Sequence, residues 1–117
     1  YNRVDIALDP YPFTGGATSV EGLWMGVPLI TLSGDSMVAR QGVSILMNVG
    51  LNDWIASNES EYIDKAIFFA SNIGKLELLR QGLRRRALAS PLFDANNFVE
   101  TFESSLIKVW QKHNRRN

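Results

Sequence analysis

The fold of this chain is decided by residues 9–28, which read DPYPFTGGATSVEGLWMGVP. Just before them, the apolar run at residues 4–9 predicts a buried strand that ends in an acidic residue. After Gly15 and Gly16, apolar residues recur at helical spacing until Gly26 ends the pattern. A strand, a glycine turn and a helix start in this order favour an anion, because glycines let a ligand approach the backbone and the first N–H groups of a helix point at it. We therefore expect a phosphate-binding turn.

Residues 28–32 (PLITL) predict a second strand, so the chain opens with a strand-helix-strand unit whose two strands are parallel. In such units ligands bind at the carboxyl ends of the strands, where the loops at residues 10–17 and 33–36 lie. Further helices are expected at residues 38–49, 58–73, 75–89 and 94–112, with a doubtful third strand within 51–56. The sequence thus predicts an α/β, Rossmann-like fold in which several helices flank a short parallel sheet.

Composition argues against several classes of function. The chain has 117 residues, of which 45% are hydrophobic, so it is one domain or part of one. Its 12 basic residues balance its 12 acidic residues, which argues against a nucleic-acid or membrane-surface partner. It has no cysteine and a single histidine, His113, so a thiol, histidine or metal centre is not expected. No apolar run approaches the length of a membrane span, and we expect a cytoplasmic protein.

The chain also has features of a piece of a larger domain. It begins with Tyr1 rather than Met, and only two strands are clear in its pattern. A parallel sheet needs several strands, with helices on both faces, to be stable. We therefore expect residues 1–117 to be the C-terminal half of a Rossmann-like domain, inactive and prone to self-association when isolated.

Several motifs together resemble the end of the O-linked N-acetylglucosamine transferase family, in its bacterial form. They are DIALDP at residues 5–10, GGATS at 15–19, LWMGVP at 23–28, GD at 34–35 with Arg40, and SPLFD at 90–94. The resemblance covers nearly the whole chain. It implies an inverting glycosyltransferase built from two facing Rossmann-like domains and commonly preceded by tetratricopeptide repeats. In such an enzyme this chain would be the distal part of the C-terminal domain, which binds the UDP-sugar.

The resemblance also implies substrates and the path of the last helix. The substrates would be a UDP-sugar, with N-acetylglucosamine the expected sugar, and a polypeptide with a Ser or Thr hydroxyl. No cofactor or metal ion would be required. The proposed catalytic groups of the family lie mostly in the missing N-terminal domain or earlier in the C-terminal one, so no catalytic residue is assigned. The helix at residues 94–112 would cross to the N-terminal domain.

Site residues are transferred from the family one position at a time. Small residues and threonines of the family's glycine turn contact the diphosphate, and the matching residues here are Gly15, Gly16, Ala17, Thr18 and Ser19. The family's acidic residue three positions after the threonine binds the ribose hydroxyls, and Glu21 matches it. Gly16 replaces a histidine of the animal members and Ala17 a threonine of many members, which puts two side-chain contacts to phosphate in question.

Structural alternatives exist for several of these residues. Thr18 and Glu21 also fit a capping box, in which both side chains bond the first N–H groups of the helix itself. Asp9 is expected to fix the turn that follows it, the alternative being a catalytic carboxylate. Trp24 shares the apolar stripe of its helix and is expected in the core. Arg40 could contact a phosphate or the acceptor across the crevice, or lie exposed on its helix.

The basic run Arg80, Arg84, Arg85 and Arg86 is spread around the polar side of a helix, which predicts a solvated face rather than a nucleic-acid site. Two alternatives stay open for the function. The chain could be a non-catalytic interaction module that keeps the fold, or part of a sugar-nucleotide epimerase built on the same scaffold.

Overall fold

The computed structural model describes residues 1–115, and the last two residues of the expected unit 1–117 lie outside the described residues. The fold is α/β, as predicted, with a parallel sheet of three strands in the order β1-β2-β3. The strands are β1 (Ala7–Leu8), β2 (Leu29–Leu32) and β3 (Ile55–Ala56). The strand that the sequence left in doubt is therefore real, and it pairs with β2 through Thr31 and Leu32.

Residues 1–115 form five helices, the first four of which surround the sheet. They are α1 (Ala17–Trp24), α2 (Gln41–Val49), α3 (Glu59–Ser71), α4 (Ile73–Leu88) and α5 (Ala95–Asn114). Single 3-10 turns precede α2 at Val38–Arg40, precede β3 at Asn52–Trp54, and separate α4 from α5 at Pro91–Phe93. None of the helices in residues 1–115 is both long enough and apolar enough to span a membrane.

The first strand is shorter and more exposed than the sequence predicts. β1 contains two residues, not the six of the predicted run at 4–9. It pairs with β2 on one side, Ala7 opposite Leu29, and Leu8 remains 60% exposed on its other sides. The prediction of a six-residue buried strand was wrong. β1 pairs with β2 on one side only, and an edge strand of this kind leaves part of its surface uncovered.

The core lies between β2 and the helices around it. Leu23 of α1, Ile30 of β2, Leu46 of α2 and Leu83 of α4 all have 0% exposed surface. Burying four such side chains stabilises the fold by about 1.5 to 3 kcal/mol each. The carboxyl end of β2, where the loops of interest begin, therefore rests on a fully packed layer.

Trp24 lies outside this core, contrary to the prediction. Its ring is half-buried and packs at a tilt against Phe93, with 5.2 Å between the ring centroids. The guanidinium carbon of Arg84 lies 5.0 Å from the Trp24 centroid. The apolar stripe predicted from the sequence is broader than the face that α1 buries. Trp24 lies at the edge of this stripe and packs against the Pro91–Phe93 turn.

The basic run of α4 is exposed at Arg84, Arg85 and Arg86, as predicted, but Arg80 and Arg86 also bind the ends of other helices. Arg80 donates from Nε to the Gly26 carbonyl at 3.2 Å and pairs with Asp5. Arg86 donates from Nε to the Val49 carbonyl at 2.7 Å and also binds the carbonyl of Gly50. These carbonyls lie at the carboxyl ends of α1 and α2, where cations are favoured because the last carbonyls of a helix lack partners. The arginines therefore attach α4 to the ends of two other helices.

Helix starts and stops follow the sequence signals at several points. Gly50 has φ 75° and ends α2, in agreement with the helix predicted at residues 38–49. Asn58 caps α3 by accepting a hydrogen bond from the backbone N–H of Glu61 at 2.9 Å. The Glu61 carboxylate accepts from the backbone N–H of Ser57 at 2.7 Å and from its hydroxyl. These bonds and nearby Lys65 lower the pKa of Glu61 to about 2.

The last helix contributes little to this core. Asp94 caps α5 by accepting from the Asn97 N–H at 3.0 Å, but every residue from 95 to 114 is exposed. Its apolar side includes Phe98, Phe102, Leu106, Val109 and Trp110, each at least half exposed. The helix packs mainly on the Pro91–Phe93 turn. An uncovered apolar side of this length is what a helix that docks elsewhere would have, and its crossing to another domain stays a prediction.

Candidate functional site

The glycine turn is held in place by Asp9, the residue that follows β1. One carboxylate oxygen of Asp9 accepts a hydrogen bond from the Gly15 N–H at 2.7 Å, and the other accepts from the Thr31 hydroxyl at 2.7 Å. The side chain is 5% exposed. Asp9 therefore fixes the turn that follows it, as the sequence predicted, and links that turn to the carboxyl end of β2.

A second tie joins the turn to the start of α2. The Thr14 hydroxyl donates to the Val38 carbonyl at 2.7 Å and accepts from the Gly42 N–H at 3.2 Å. Gly42 has no room for a side chain, since an added Cβ would overlap the Asp9 carboxylate and the Thr31 hydroxyl. Thr14 therefore ties the loop before the glycine turn to the segment that leads into α2.

The start of α1 is left uncapped by side chains. Gly16 is its N-cap residue, and neither Thr18 nor Glu21 bonds the first N–H groups of the helix. The capping-box alternative is therefore wrong. Ala17 is the first helical residue, so Thr18 is the second and lies two positions after the N-cap residue Gly16. The first N–H groups of an α-helix have no partner within the helix, and no side chain caps those of residues 17–19.

The hydroxyls of Thr18 and Ser19 lie over Gly15. A Cβ built on Gly15 would be 3.0 Å from Thr18 Oγ1 and would overlap Ser19 Oγ. A side chain at position 15 would therefore force these hydroxyls to rotate away from the turn. A cleft of about 260 Å³ beside them is lined by Asp9, Gly15, Thr18 and Ser19. Apolar residues, among them Leu8, Val27 and Leu29, form the rest of its wall, so its polar groups are confined to the end at the glycine turn.

Gly16 faces a side chain from α2. A Cβ on Gly16 would be 3.1 Å from Oε1 of Gln41, so the Gln41 carboxamide occupies the space beside the N-cap. Gln41 was not identified from the sequence, because it lies 25 positions downstream of Gly16 and belongs to no motif. Thr31 is the one polar residue in the predicted strand PLITL, and this pattern could have indicated a buried hydrogen bond such as the one it makes to Asp9.

Glu21 lies one turn further along α1 than Thr18. It is exposed and lines a separate groove of about 430 Å³ with Val20, Trp24 and Phe93. Tyr1 lines both this groove and the cleft at the glycine turn. The structure thus places Glu21 next to the predicted phosphate residues along the helix, but in a neighbouring groove.

Arg40 lies at the same edge of the sheet, outside the cleft. Its Nη1 donates to the Ser33 hydroxyl and to the Gly34 carbonyl, both at 3.3 Å. It lines another groove with Met37 and Met47. Arg40 therefore braces the loop after β2, and the structure does not bring it into contact with the glycine turn.

Electrostatics at the site come from the helix starts and from Asp9. The ion pairs found among residues 1–115 involve Lys65 and Arg80 and leave Asp9 out. Burial and the nearby negative charge of Asp9 raise the pKa of the Tyr62 hydroxyl, which donates to the Asp9 carbonyl at 2.8 Å. In the described part of the chain, no three His, Asp or Glu side chains lie close enough together to hold a metal ion.

Comparison with known proteins places this geometry in a family. The chain is 40% identical over 113 residues to a probable UDP-N-acetylglucosamine--peptide N-acetylglucosaminyltransferase, SPINDLY, of Petunia hybrida, and 37% identical over 110 residues to a protein of the same description, SEC, of Arabidopsis thaliana. These matches cover 97% and 93% of the chain but only 12% and 11% of the relatives.

A solved structure agrees with these relatives. The K341M mutant of the Thermobaculum terrenum O-GlcNAc transferase superposes with a TM-score of 0.87 at 38% identity, over 96% of this chain and 22% of that one. Residues 2–102 match the family described as glycosyl transferase family 41. The chain spans about an eighth of its curated relatives, and it belongs to glycosyl transferase family 41.

Proposed function

We propose that this chain is the part of an inverting glycosyltransferase that binds the nucleotide of the sugar donor. The whole enzyme would move a sugar, N-acetylglucosamine, from a UDP-sugar to a Ser or Thr hydroxyl of a polypeptide. The relatives in two plants are named for transfer from UDP-N-acetylglucosamine to peptide. The observation that carries the proposal is the uncapped start of α1, which opens from a glycine turn held by Asp9.

The diphosphate would bind at this helix start. Three N–H groups, from Ala17, Thr18 and Ser19, point out of the first turn, and the Thr18 hydroxyl adds a fourth donor. Hydrogen bonds to ionised oxygens are about twice as strong as neutral ones, and the positive end of the helix favours a negative charge. A diphosphate can therefore be bound without a lysine.

The ribose would be bound by Glu21. Its carboxylate is exposed and makes no capping bond in α1, so both oxygens are available for the two ribose hydroxyls. The apolar groove next to Glu21, with Val20 and Trp24 in its wall, would adjoin the nucleoside. A nucleotide that spans from the cleft at Gly15 to this groove would pass Tyr1, which lines both.

The chemistry that this site supports is stabilisation of the leaving group. An acceptor hydroxyl attacks the anomeric carbon from the side opposite the diphosphate, the bond from that carbon to the diphosphate oxygen breaks, and UDP leaves with the electron pair. Donors aimed at the charge that develops on the diphosphate lower the barrier to this step. The base that takes the proton from the acceptor would lie in a part of the enzyme outside this chain, and we assign no metal ion to the step.

The partners of the chain would be the rest of its own enzyme. A facing N-terminal domain would complete the active site, and tetratricopeptide repeats would present the polypeptide. The exposed apolar side of α5, with Phe102 and Trp110, supports a docking role for this helix against that domain.

Calorimetric titration of the full-length protein with UDP tests the proposal. Glu21→Ala removes a charged hydrogen-bonding group and should weaken binding by roughly 1.5 to 3 kcal/mol. The matched control is Glu77→Ala. It removes an exposed carboxylate of α4 that lines neither the cleft at the glycine turn nor the groove at Glu21, and it should leave the affinity for UDP unchanged. Unchanged affinity in Glu21→Ala would refute the ribose role, and a wild-type protein that fails to bind UDP would refute the proposed function.

A further inference from the structure

We propose that Asp9 is a positioning residue of the nucleotide site, a role that rests on the proposed function. Its carboxylate would hold the diphosphate-binding turn at a fixed place relative to the start of α2, without contacting the donor itself. The sequence predicted that Asp9 fixes its own turn; its effect on donor binding is inferred from contacts that Asp9, beside β1, makes with β2 and α2.

Every polar group of Asp9 already has a partner within the protein. Its N–H donates to the Ile30 carbonyl at 2.9 Å, and its own carbonyl accepts from the Tyr62 hydroxyl at 2.8 Å. The carboxylate accepts from Gly15 and from Thr31, each at 2.7 Å. A carboxylate with both oxygens engaged is a poor general base, and its negative charge would repel a diphosphate at close range. Asp9 is therefore suited to act on the donor through the turn.

The same carboxylate also sets the position of α2. Gly42 packs against it so closely that a Cβ there would overlap Asp9 Oδ2. Thr14, in the loop between Asp9 and the glycine turn, binds the Gly42 N–H at 3.2 Å. The positive end of α2 thus lies beside the buried charge and offsets its desolvation. The Asp9 side chain in this way fixes the glycine turn relative to the start of α2.

Substitutions at Asp9 should affect phosphate contacts more than nucleoside contacts. Asp9→Ala removes both carboxylate bonds and lets the turn move, so the N–H groups at the start of α1 no longer lie where the diphosphate is bound. Asp9→Asn should recover part of this loss, because its carbonyl oxygen can still accept from the Gly15 N–H. Uridine lacks the diphosphate, and its contact with Glu21 lies one turn further along α1.

The experiment compares UDP and uridine binding to the full-length protein by calorimetry. Asp9→Ala is expected to weaken UDP roughly 10- to 100-fold, Asp9→Asn less, and neither should change the affinity for uridine more than about two-fold. The matched control, Tyr62→Phe, removes the bond to the Asp9 carbonyl but leaves the carboxylate; it should lower thermal stability and keep the UDP affinity.

Three results would overturn the positioning role. They are wild-type UDP affinity in Asp9→Ala, an equal loss for UDP and uridine, and a loss in Tyr62→Phe as large as in Asp9→Ala. If Asp9→Ala does not fold, Asp9→Asn and Thr31→Val decide with the same two ligands. Failure of the wild-type protein to bind UDP would refute the proposed function, whereas the results above would refute only the role of Asp9.

Discussion

The carboxamide of Gln41 lies beside Gly16, so that a Cβ built on Gly16 would be 3.1 Å from Gln41 Oε1. That distance is shorter than ordinary packing allows, so either the new side chain at position 16 or the Gln41 side chain would have to move. The absence of a side chain at position 16 and the presence of glutamine at position 41 are therefore expected to be coupled.

A double-mutant cycle measures this coupling. Gly16→Ala should destabilise the protein less in a Gln41→Ala background than in the wild type, with an interaction energy of about 0.5 to 1.5 kcal/mol in urea unfolding. Asn48→Ala, at the other end of α2, is the control, and its combination with Gly16→Ala should be additive. Additivity in the Gln41 cycle would contradict the contact.

Arg86 is predicted to stabilise the carboxyl end of α2. Arg86→Ala removes donors to the carbonyls of Val49 and Gly50 and should lower the free energy of unfolding by about 1 to 2 kcal/mol. Its neighbour Arg85 is exposed in α4, and Arg85→Ala should change the stability by less than about 0.5 kcal/mol. Equal effects of the two substitutions in urea unfolding would show that Arg86 is only a surface charge.

Interactions between residues close in the chain were predictable from the sequence. Gly50 and Asn58 act on their own helix ends, so their roles were predictable from the residues around them. The bond of Asp9 to Thr31 spans 22 positions and that of Arg80 to Gly26 spans 54, so neither could be inferred from spacing. The arginine run is largely exposed, as predicted, but periodicity identifies only the polar side of α4 and not which helix ends lie opposite it.

The site was partly predictable for the same reason. A strand, two glycines and a helix start are contiguous in sequence, so the position of residues 15–19 at the carboxyl edge followed from the order alone. The capping box was wrong because α1 starts at Ala17 with Gly16 as its N-cap residue, so Thr18 and Glu21 fit the spacing of the box two positions too late. Thr14, Gln41 and Gly42 join the site through tertiary contacts, and no motif includes them.

The start of α3 should resist acid. Since the pKa of Glu61 is lowered from its ordinary value of 4.5 to about 2 in the folded protein, the stability it contributes is fully present above pH 4.5 and is lost as the pH falls through about 2. The Glu61 carboxyl resonance should titrate in NMR with a midpoint near 2. Ser57→Ala removes the main cause and should raise that midpoint. A wild-type midpoint at 4.5 would contradict the contact with Ser57.

The last helix is predicted to act between domains. Truncation after Asp94 removes α5 and keeps Leu92 and Phe93, which pack on the core, so it should cost the present chain little stability because every residue of α5 is exposed. In the full-length protein the same cut should lower transfer activity and loosen the interdomain arrangement. Differential scanning calorimetry of the chain and activity of the full-length protein provide the two readouts. If the cut unfolds the chain outright, α5 belongs to its core and the crossing is refuted.

The most direct measurement is a crystal structure of the full-length protein with UDP. We expect the diphosphate oxygens within about 3.2 Å of the N–H groups of Ala17, Thr18 and Ser19, and Glu21 on the ribose. Asp9 should remain bonded to Gly15, with no atom of UDP in contact with its carboxylate. A diphosphate bound anywhere other than the start of α1 would contradict the central claim, whatever the affinity.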